Sequence, residues 1–254
     1  TEVFPSRKCC RGEESLRVEN LGVEGVFENI NFSAHRGEIL GLAGLMGAGR
    51  TEIVETIFGI RKKTSGKVFI SGKEVIIRSP RDAIKYGIGM VTEDRKVSGL
   101  VGTMDVEKNM TLVVLKKMAH LGFVLNKSAE DGAATQQFQS MHIKAQGLRQ
   151  GIGNLSGGNQ QKVILAKWIL AAPDIFILDE PTRGIDVGAK MEIYHLVSRM
   201  AEAGKTIIFI SSEMEEILGL CDEILVFHEG KMSGKISHEQ ANQEIILKMA
   251  SGVA

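Results

Sequence analysis

The chain has 254 residues, 29 of them glycine, and its 31 basic and 31 acidic side chains give a formal net charge of zero. A composition of 43% hydrophobic and 24% charged residues excludes a disordered or collagen-like chain. The balanced charge argues against a nucleic-acid-binding protein that relies on a broadly basic surface. No apolar stretch approaches the length of about 18 residues that a membrane-spanning helix needs.

The beginning of the chain reads as a linker or tail over residues 1–14, which are polar and basic and include no apolar core of a signal peptide. It lacks an initiator methionine, which predicts a piece of a longer protein. The three cysteines have neither a metal-ligand spacing nor the even number of a disulfide framework. The number and spacing of the cysteines favour a reducing, cytoplasmic setting.

Residues 15–254 are predicted to form a single domain whose first part mixes strands and short helices. Apolar and polar residues partly alternate over residues 15–32, and a buried strand over 38–43 runs into a glycine cluster. A helix carrying Ile53 and Ile57 follows. Further along, the patterns predict a hairpin with strands at 67–70 and 75–77, and a short helix opened by Ser79 and Pro80.

The second part alternates helices with buried strands, which predicts an α/β fold with a mainly parallel sheet covered on both faces. Residues 100–150 are rich in Met, Lys and Gln without a convincing strand, and they indicate an inserted α-helical subdomain within about residues 100–160. The later elements are expected at 159–171, 175–178, 187–203, 206–211, 223–227 and 231–236. A capping box at residues 237–240 is expected to open the last helix.

The glycine cluster spans residues 44–51 and matches the phosphate-binding pattern G-x-x-x-x-G-K-[ST] except that Arg50 replaces the lysine. Glycines let backbone N–H groups wrap a phosphate, and the start of a helix places its positive end against that anion. The Thr51 hydroxyl is the expected Mg²⁺ ligand. Taken alone, an imperfect match is equally compatible with a glycine-rich turn before a helix.

A second motif places two carboxylates at the end of the apolar run 175–178. In this Walker B arrangement Asp179 would hold Mg²⁺ and Glu180 could act as the base on an attacking water. An acidic pair at a strand exit is common, so this motif is weak by itself.

The third motif is the most specific and reads Leu-Ser-Gly-Gly-Asn-Gln-Gln-Lys over residues 155–162. A hydroxyl and two glycines at a helix start form a second anion site. A generic helix cap would explain Ser156 but not the glycine pair at this spacing from Asp179.

The order of the three motifs resembles that of ATP-binding cassette proteins, and the resemblance covers the chain from about Ser15. It is closer still to the second, C-terminal cassette of fused ATPase subunits of bacterial sugar importers, ribose type in particular. The segments that carry it are 44–52, 93–96, 181–190 and 211–214. The resemblance implies a P-loop NTPase core with an antiparallel β subdomain and an inserted helical subdomain.

The resemblance also implies ATP and Mg²⁺ as ligands and a head-to-tail sandwich of two cassettes with two ATP sites. Asp186 would contact the partner half, and the third motif, which stands at the position of the family's signature motif, would complete the partner's site. The residues expected to bind nucleotide are Gly44, Gly47, Ala48, Gly49, Arg50, Thr51 and Glu52, with Ser156, Gly157 and Gly158 acting across the sandwich. Thr51 and Asp179 would bind the metal. Glu180, Glu213 and Glu93 hold the catalytic positions.

Three departures from the family pattern predict that the site on this chain's own phosphate loop is degenerate. Arg50 stands where lysine belongs, Glu93 where the Q-loop glutamine belongs, and Glu213 where the switch histidine belongs. Carboxylates near a phosphate repel it unless they are protonated or metal-bound. The isolated domain is therefore expected to bind nucleotide but hydrolyse it weakly. Phe27 is a candidate for stacking on adenine, although a core position is the better interpretation.

The function implied is that of the ATPase domain of a monosaccharide importer at the cytoplasmic face of the bacterial inner membrane. Its expected partners are another cassette, the membrane permease and, indirectly, a periplasmic sugar-binding protein, with no nucleic acid. Two alternatives stay open: a regulatory nucleotide-binding module, and a cassette protein that acts on nucleic acid or ribosomes without transport.

Overall fold

The computed structural model describes residues 4–120 and 124–252, and the chain divides into two compact units. Unit 1 comprises Thr1–Met90, Asp174–Glu180 and Tyr194–Ala254, and unit 2 comprises Val91–Pro173 and Pro181–Ile193. No helix among these described residues is long and apolar enough to cross a membrane.

The strands lie close to the predicted positions from residue 175 onward. Their bounds are β1 (Glu14–Val23), β2 (Phe27–His35), β3 (Ile39–Gly44), β4 (Ser65–Ile70), β5 (Lys73–Val75), β6 (Ile88–Val91), β7 (Ala119–His120), β8 (Val124–Leu125), β9 (Ile175–Asp179), β10 (Thr206–Ile210), β11 (Glu223–His228) and β12 (Lys231–Ser237). The α-helices are α1 (Arg50–Phe58), α2 (Pro80–Lys85), α3 (Val106–Thr111), α4 (Lys127–Ser140), α5 (Gly157–Ala171), α6 (Val187–Glu202), α7 (Met214–Leu220) and α8 (Gln243–Ala250).

A six-stranded sheet forms the core of the fold, in the order β12-β11-β3-β10-β9-β6. Strands β11, β3, β10 and β9 pair in parallel, and every residue of β9 and β10 is buried. Such continuous apolar strands are typical of a parallel sheet covered on both faces, as predicted. Because these strands run in one direction, the ends of β3, β10 and β9 meet at one edge of the sheet.

The antiparallel β subdomain is a four-stranded sheet in the order β2-β1-β4-β5. The hairpin of β4 and β5 was predicted, but the second strand occupies 73–75 rather than 75–77. Ser71 and Gly72 both adopt positive φ values, 46° and 77°, which is the geometry of a two-residue hairpin turn. The chain therefore resumes pairing at once, with Lys73 opposite Ile70.

Unit 2 contains the predicted helical insertion, in which α3 and α4 both contact α5. Sequence patterns indicated no strand in this region, whereas β7 and β8 pair as a two-residue antiparallel ladder. Strands this short have no periodicity that a sequence can reveal.

The start of the last helix differs from its prediction. The hydroxyl of Ser237 makes no capping hydrogen bond, and residues 238–240 form only a single 3₁₀ turn. Helix α8 begins after Asn242, whose side chain accepts a hydrogen bond from the backbone N–H of Ile245. The capping box at 237–240 was therefore a false signal, because an Asx cap five residues later satisfies the helix N-terminus instead.

Candidate functional site

The glycine-rich loop of residues 44–49, predicted to bind phosphate and here called the phosphate loop, connects β3 to α1 within unit 1. Gly47 and Gly49 adopt positive φ values of 81° and 92°, and Gly49 caps α1 without any side-chain hydrogen bond to the helix. A Cβ added to Gly47 would meet no atom within 4 Å, so the loop is open beside this residue. This backbone leaves the N–H groups of the loop and of the first helical turn available to an anion.

Arg50 opens α1 and directs its side chain to the end of β10. Its Nη1 donates a hydrogen bond of 2.9 Å to the backbone carbonyl of Ser211. A guanidinium carries five N–H donors in a planar fork, so this bond leaves room for a phosphate contact. The arginine is thus tied to the same sheet edge that carries the loop.

The predicted acidic pair lies at that edge, at the end of β9. Asp179 is fully buried, and Glu180, half-buried, has a positive φ of 48°. The hydroxyl of Ser212 donates a 3.1 Å hydrogen bond to Glu180 Oε2. Burial raises the pKa of the Glu180 carboxyl, and the hydrogen bonds from Ser212 partly oppose that rise. A carboxylate with a raised pKa at a sheet edge suits general base chemistry.

The donor set of this edge fits a magnesium ion. The Thr51 hydroxyl and the Asp179 carboxylate are hard oxygen ligands, and Mg²⁺ typically takes one or two such protein groups and completes its shell with phosphates and water. Within residues 4–120 and 124–252, no group of three or more His, Cys, Asp or Glu side chains could hold a metal.

Glu213 is the N-cap residue of α7 and is exposed. Its backbone N–H donates a 3.0 Å hydrogen bond to Ser211 Oγ. The hydroxyl of Ser212, one residue earlier, contacts Glu180. Sequence reasoning included Ser212 in the segment 211–214 but assigned it no role.

Glu93 belongs to unit 2, where it forms an ion pair with Arg183. Both side chains are exposed. The neighbouring Arg95 donates hydrogen bonds to the backbone carbonyls of Arg183 (2.9 Å) and Gly184 (3.4 Å). The carboxylate of Glu93 is thus charge-balanced within its own unit, a pairing that the sequence did not reveal.

The signature residues open α5 in unit 2. Ser156 is the N-cap, and its Oγ accepts hydrogen bonds from the backbone N–H of Asn159 (3.5 Å) and from its side-chain amide (2.8 Å). A Cβ on Gly158 would collide with the Cβ of Ala189 and lie 3.4 Å from the carboxylate of Asp186. The second glycine is therefore required by close packing, while Ser156 stays exposed at a helix N-terminus.

Lys167, farther along α5, provides a test of the electrostatics of this helix. It is buried, donates a 2.6 Å hydrogen bond to the carbonyl of Gly99, and burial lowers its pKa to about 8. Between pH 8 and pH 10 the unfolded chain therefore binds more protons at this residue, so its contribution makes the free energy of unfolding rise with pH by up to about 1.4 kcal/mol per unit.

We expect Lys167→Met to remove this pH dependence. Urea unfolding of both proteins from pH 7 to pH 10 measures it: any stability advantage of the variant over the wild type should shrink as the pH rises above 8. A difference that is constant over this range would contradict the lowered pKa.

The remaining predicted residues lie on or beneath the loop. Ala48 is buried, Thr51 and Glu52 are half-buried in the first turn of α1, and Gly44 ends β3. Phe27 is only 4% exposed, in agreement with its interpretation as a core residue. Glu216, which accepts hydrogen bonds from Ser211 just after β10 and from Tyr194, had no signal in the sequence.

Comparison with known proteins agrees with this fold and shows the family. The family model described as ABC transporter matches residues 27–183. The fold is close to that of a nucleotide-free ATP-binding cassette from an ABC transporter, with a TM-score of 0.76 over 95% of this chain and 96% of that one at 20% identity. A cassette in its ADP conformation gives a TM-score of 0.73 with the same two coverages.

Sequence relatives carry the names of sugar import proteins. A putative ribose/galactose/methyl galactoside import ATP-binding protein of Halalkalibacterium halodurans is 49% identical over 100% of this chain and 48% of its own length. A ribose import ATP-binding protein of Caldanaerobacter subterraneus is 50% identical over 99% of this chain and 51% of its own. A xylose import ATP-binding protein of Thermoanaerobacter pseudethanolicus is 46% identical, with coverages of 99% and 51%. The chain spans about half the length of the curated relatives it matches.

Proposed function

Because the chain belongs to the ABC transporter family, we propose that it is an ATP-binding and ATP-hydrolysing domain of a bacterial monosaccharide importer. The names of its relatives, which include ribose, galactose and xylose import ATP-binding proteins, support this substrate class, with ribose as the first sugar to test. Coupling to transport requires a second cassette and a membrane permease, with a periplasmic binding protein supplying the sugar. The domain would act at the cytoplasmic face of the inner membrane.

The observation that carries the proposal is the meeting of three groups at one sheet edge in unit 1. The loop after β3, the turn after β10 and the acidic pair after β9 are adjacent because these strands are neighbours in parallel order. Backbone N–H groups there would bind the phosphates of ATP, while Glu180 would accept a proton from the attacking water. The Ser212 hydroxyl would orient that carboxylate.

Mg²⁺ would be held by Thr51 and Asp179. When bound, it would neutralise charge on the β- and γ-phosphates.

We further propose that this chain's own site hydrolyses ATP slowly. Arg50 replaces a compact ammonium with a planar fork that is already bonded to Ser211. Glu93 and Glu213 place carboxylates where the family has a glutamine and a histidine. The exposed Ser156 at the start of α5 would instead complete the site of the partner cassette, with Asp186 at the same junction.

Experiments on the isolated chain test both proposals, that it is an ATPase domain and that its own site is slow. We expect it to bind MgATP, measured by isothermal titration calorimetry, and to turn over well below about 1 s⁻¹, the lower end of common enzyme rates. The variant Asp179→Asn should weaken ATP binding in Mg²⁺ but leave binding in EDTA unchanged.

The outcomes separate the assignment as an ATPase domain from the proposal that its own site hydrolyses ATP slowly. Turnover of about 1 s⁻¹ or faster would overturn the degenerate site, while absence of nucleotide binding would overturn the ATPase assignment. Equal effects of Asp179→Asn with and without Mg²⁺ would contradict the assignment of the metal ligand.

A further inference from the structure

Residues 4–12, here called the N-terminal segment, are anchored to unit 1 at several points. The ring of Phe4 packs against that of Tyr194 with centroids 5.0 Å apart, and it covers Gly219 so closely that a Cβ there would overlap it. The guanidinium of Arg7 donates to the carbonyl of Gly37 (3.0 Å) and pairs with Asp222. Composition predicts a linker or tail here, and residues 4–12 of that stretch pack against the rest of unit 1.

A buried polar chain begins where Phe4 contacts Tyr194. The Tyr194 hydroxyl donates a 2.6 Å hydrogen bond to Glu216 Oε1, and the Ser211 hydroxyl donates a 2.5 Å bond to Oε2 of the same carboxylate. The three residues are between 1% and 3% exposed. Each oxygen of this buried carboxylate accepts a hydrogen bond from a hydroxyl group, so loss of either hydroxyl removes a buried hydrogen bond to a charged group.

Ser211 connects this chain of buried hydrogen bonds to the phosphate loop. Its carbonyl accepts the bond from Arg50, and its Oγ accepts the N–H of Glu213. The adjacent Ser212 contacts Glu180. A shift of this turn would therefore move the partners of Arg50 and of Glu180 together.

We propose that Tyr194, Glu216 and Ser211 form a relay that couples docking of the N-terminal segment to the position of Arg50. Glu216 is the central positioning residue, because it fixes Ser211 from one side and Tyr194 from the other. The coupling of the segment to Arg50 stands on these contacts; its effect on ATP affinity rests on the proposed function. Coupling of this kind is reciprocal: what loosens the segment loosens Arg50, and the reverse.

The first experiment needs no nucleotide. Hydrogen exchange of the Glu213 amide, followed in a peptide spanning residues 211–214, should quicken about fivefold or more in Phe4→Ala and in Tyr194→Phe, the usual scale of such coupling. Tyr194→Phe keeps the aromatic ring that packs against Phe4, and Phe4→Ala changes only a side chain of the N-terminal segment. We therefore expect both variants to remain folded. The control Cys10→Ser alters an exposed side chain of the same segment and should leave exchange unchanged.

The reverse direction uses limited trypsin digestion at Arg7 and Lys8, read by intact mass. Arg50→Gln should raise cleavage there, although residue 50 is not part of the segment. Unchanged Glu213 exchange in both Phe4→Ala and Tyr194→Phe, or unchanged cleavage in Arg50→Gln, would overturn the relay.

The second experiment measures the affinity for a fluorescent ATP analogue in the same variants. We expect about fivefold weaker binding in Phe4→Ala and Tyr194→Phe and no change in Cys10→Ser. If the wild type binds no nucleotide, the proposed function fails while the exchange and digestion results still decide the relay. If the variants bind like the wild type, the proposed coupling to the nucleotide is wrong.

Discussion

Replacing Gly47 by alanine is expected to weaken ATP binding by about 50-fold, the equivalent of one or two lost hydrogen bonds to a charged group. The residue has a φ of 81° and open space where a Cβ would project. We expect a methyl group in the open space beside this residue to keep a phosphate away from the backbone N–H groups of the loop. The protein should remain folded, because the methyl group displaces no protein atom.

Gly72→Ala is the matched control for this change. Gly72 has a φ of 77° and likewise no atom within 4 Å of an added Cβ, but it lies in the turn between β4 and β5. Both variants should lose about 1–2 kcal/mol of stability from the left-handed backbone, measured by urea unfolding. Only Gly47→Ala should lose ATP affinity in calorimetry. Equal affinities of the two variants would show that the loop does not bind the phosphates.

Ile208→Ala is expected to lower the free energy of unfolding by about 2–5 kcal/mol, the cost of deleting a fully buried isoleucine side chain. Ile208 lies at the centre of β10, opposite Leu40 of β3 and Ile177 of β9, and is 0% exposed. A cavity there would weaken the strands that support the phosphate loop and Asp179, so ATP affinity should fall at temperatures well below that of unfolding.

Ile76→Ala deletes the same atoms from a side chain that is 61% exposed. Its effect should stay within about 0.5 kcal/mol. Thermal or urea unfolding of the two variants, together with ATP affinity at 25 °C, distinguishes the effect of the buried position from that of deleting the same atoms. A loss at Ile76 comparable to that at Ile208 would contradict the placement of the core.

The chemistry-bearing motifs could be predicted because each depends on a local pattern. Glycines before a helix, and two carboxylates after an apolar strand, are visible within a few residues. Their meeting at one edge could be expected for the same reason, since parallel strands end together. The false helix start at Ser237 shows the limit of such patterns: Asn242 offers an equally good cap, and only the packing of α8 selects between them.

The contacts that organise the site could not be predicted, because they join residues far apart in the chain. Ser212 meets Glu180 and Arg183 meets Glu93 through pairings that leave no periodic signal. The N-terminal segment has the polar composition of a linker, yet it docks through Phe4 and Arg7. Composition describes the average of a segment, whereas docking depends on two of its side chains.

The strand order also has a consequence for the timing of folding during synthesis. β3 and β9 are made before β10, but they are not neighbours in the sheet, and β10 lies between them. A nascent chain that has passed Glu180 therefore carries every residue of the loop and the acidic pair without the strand that joins them. The site can close only after Thr206–Ile210 has left the ribosome, and pairing across such a distance in the chain is slow. Until then the edges of β3 and β9 that β10 will cover stay open to other chains, which makes this interval prone to aggregation.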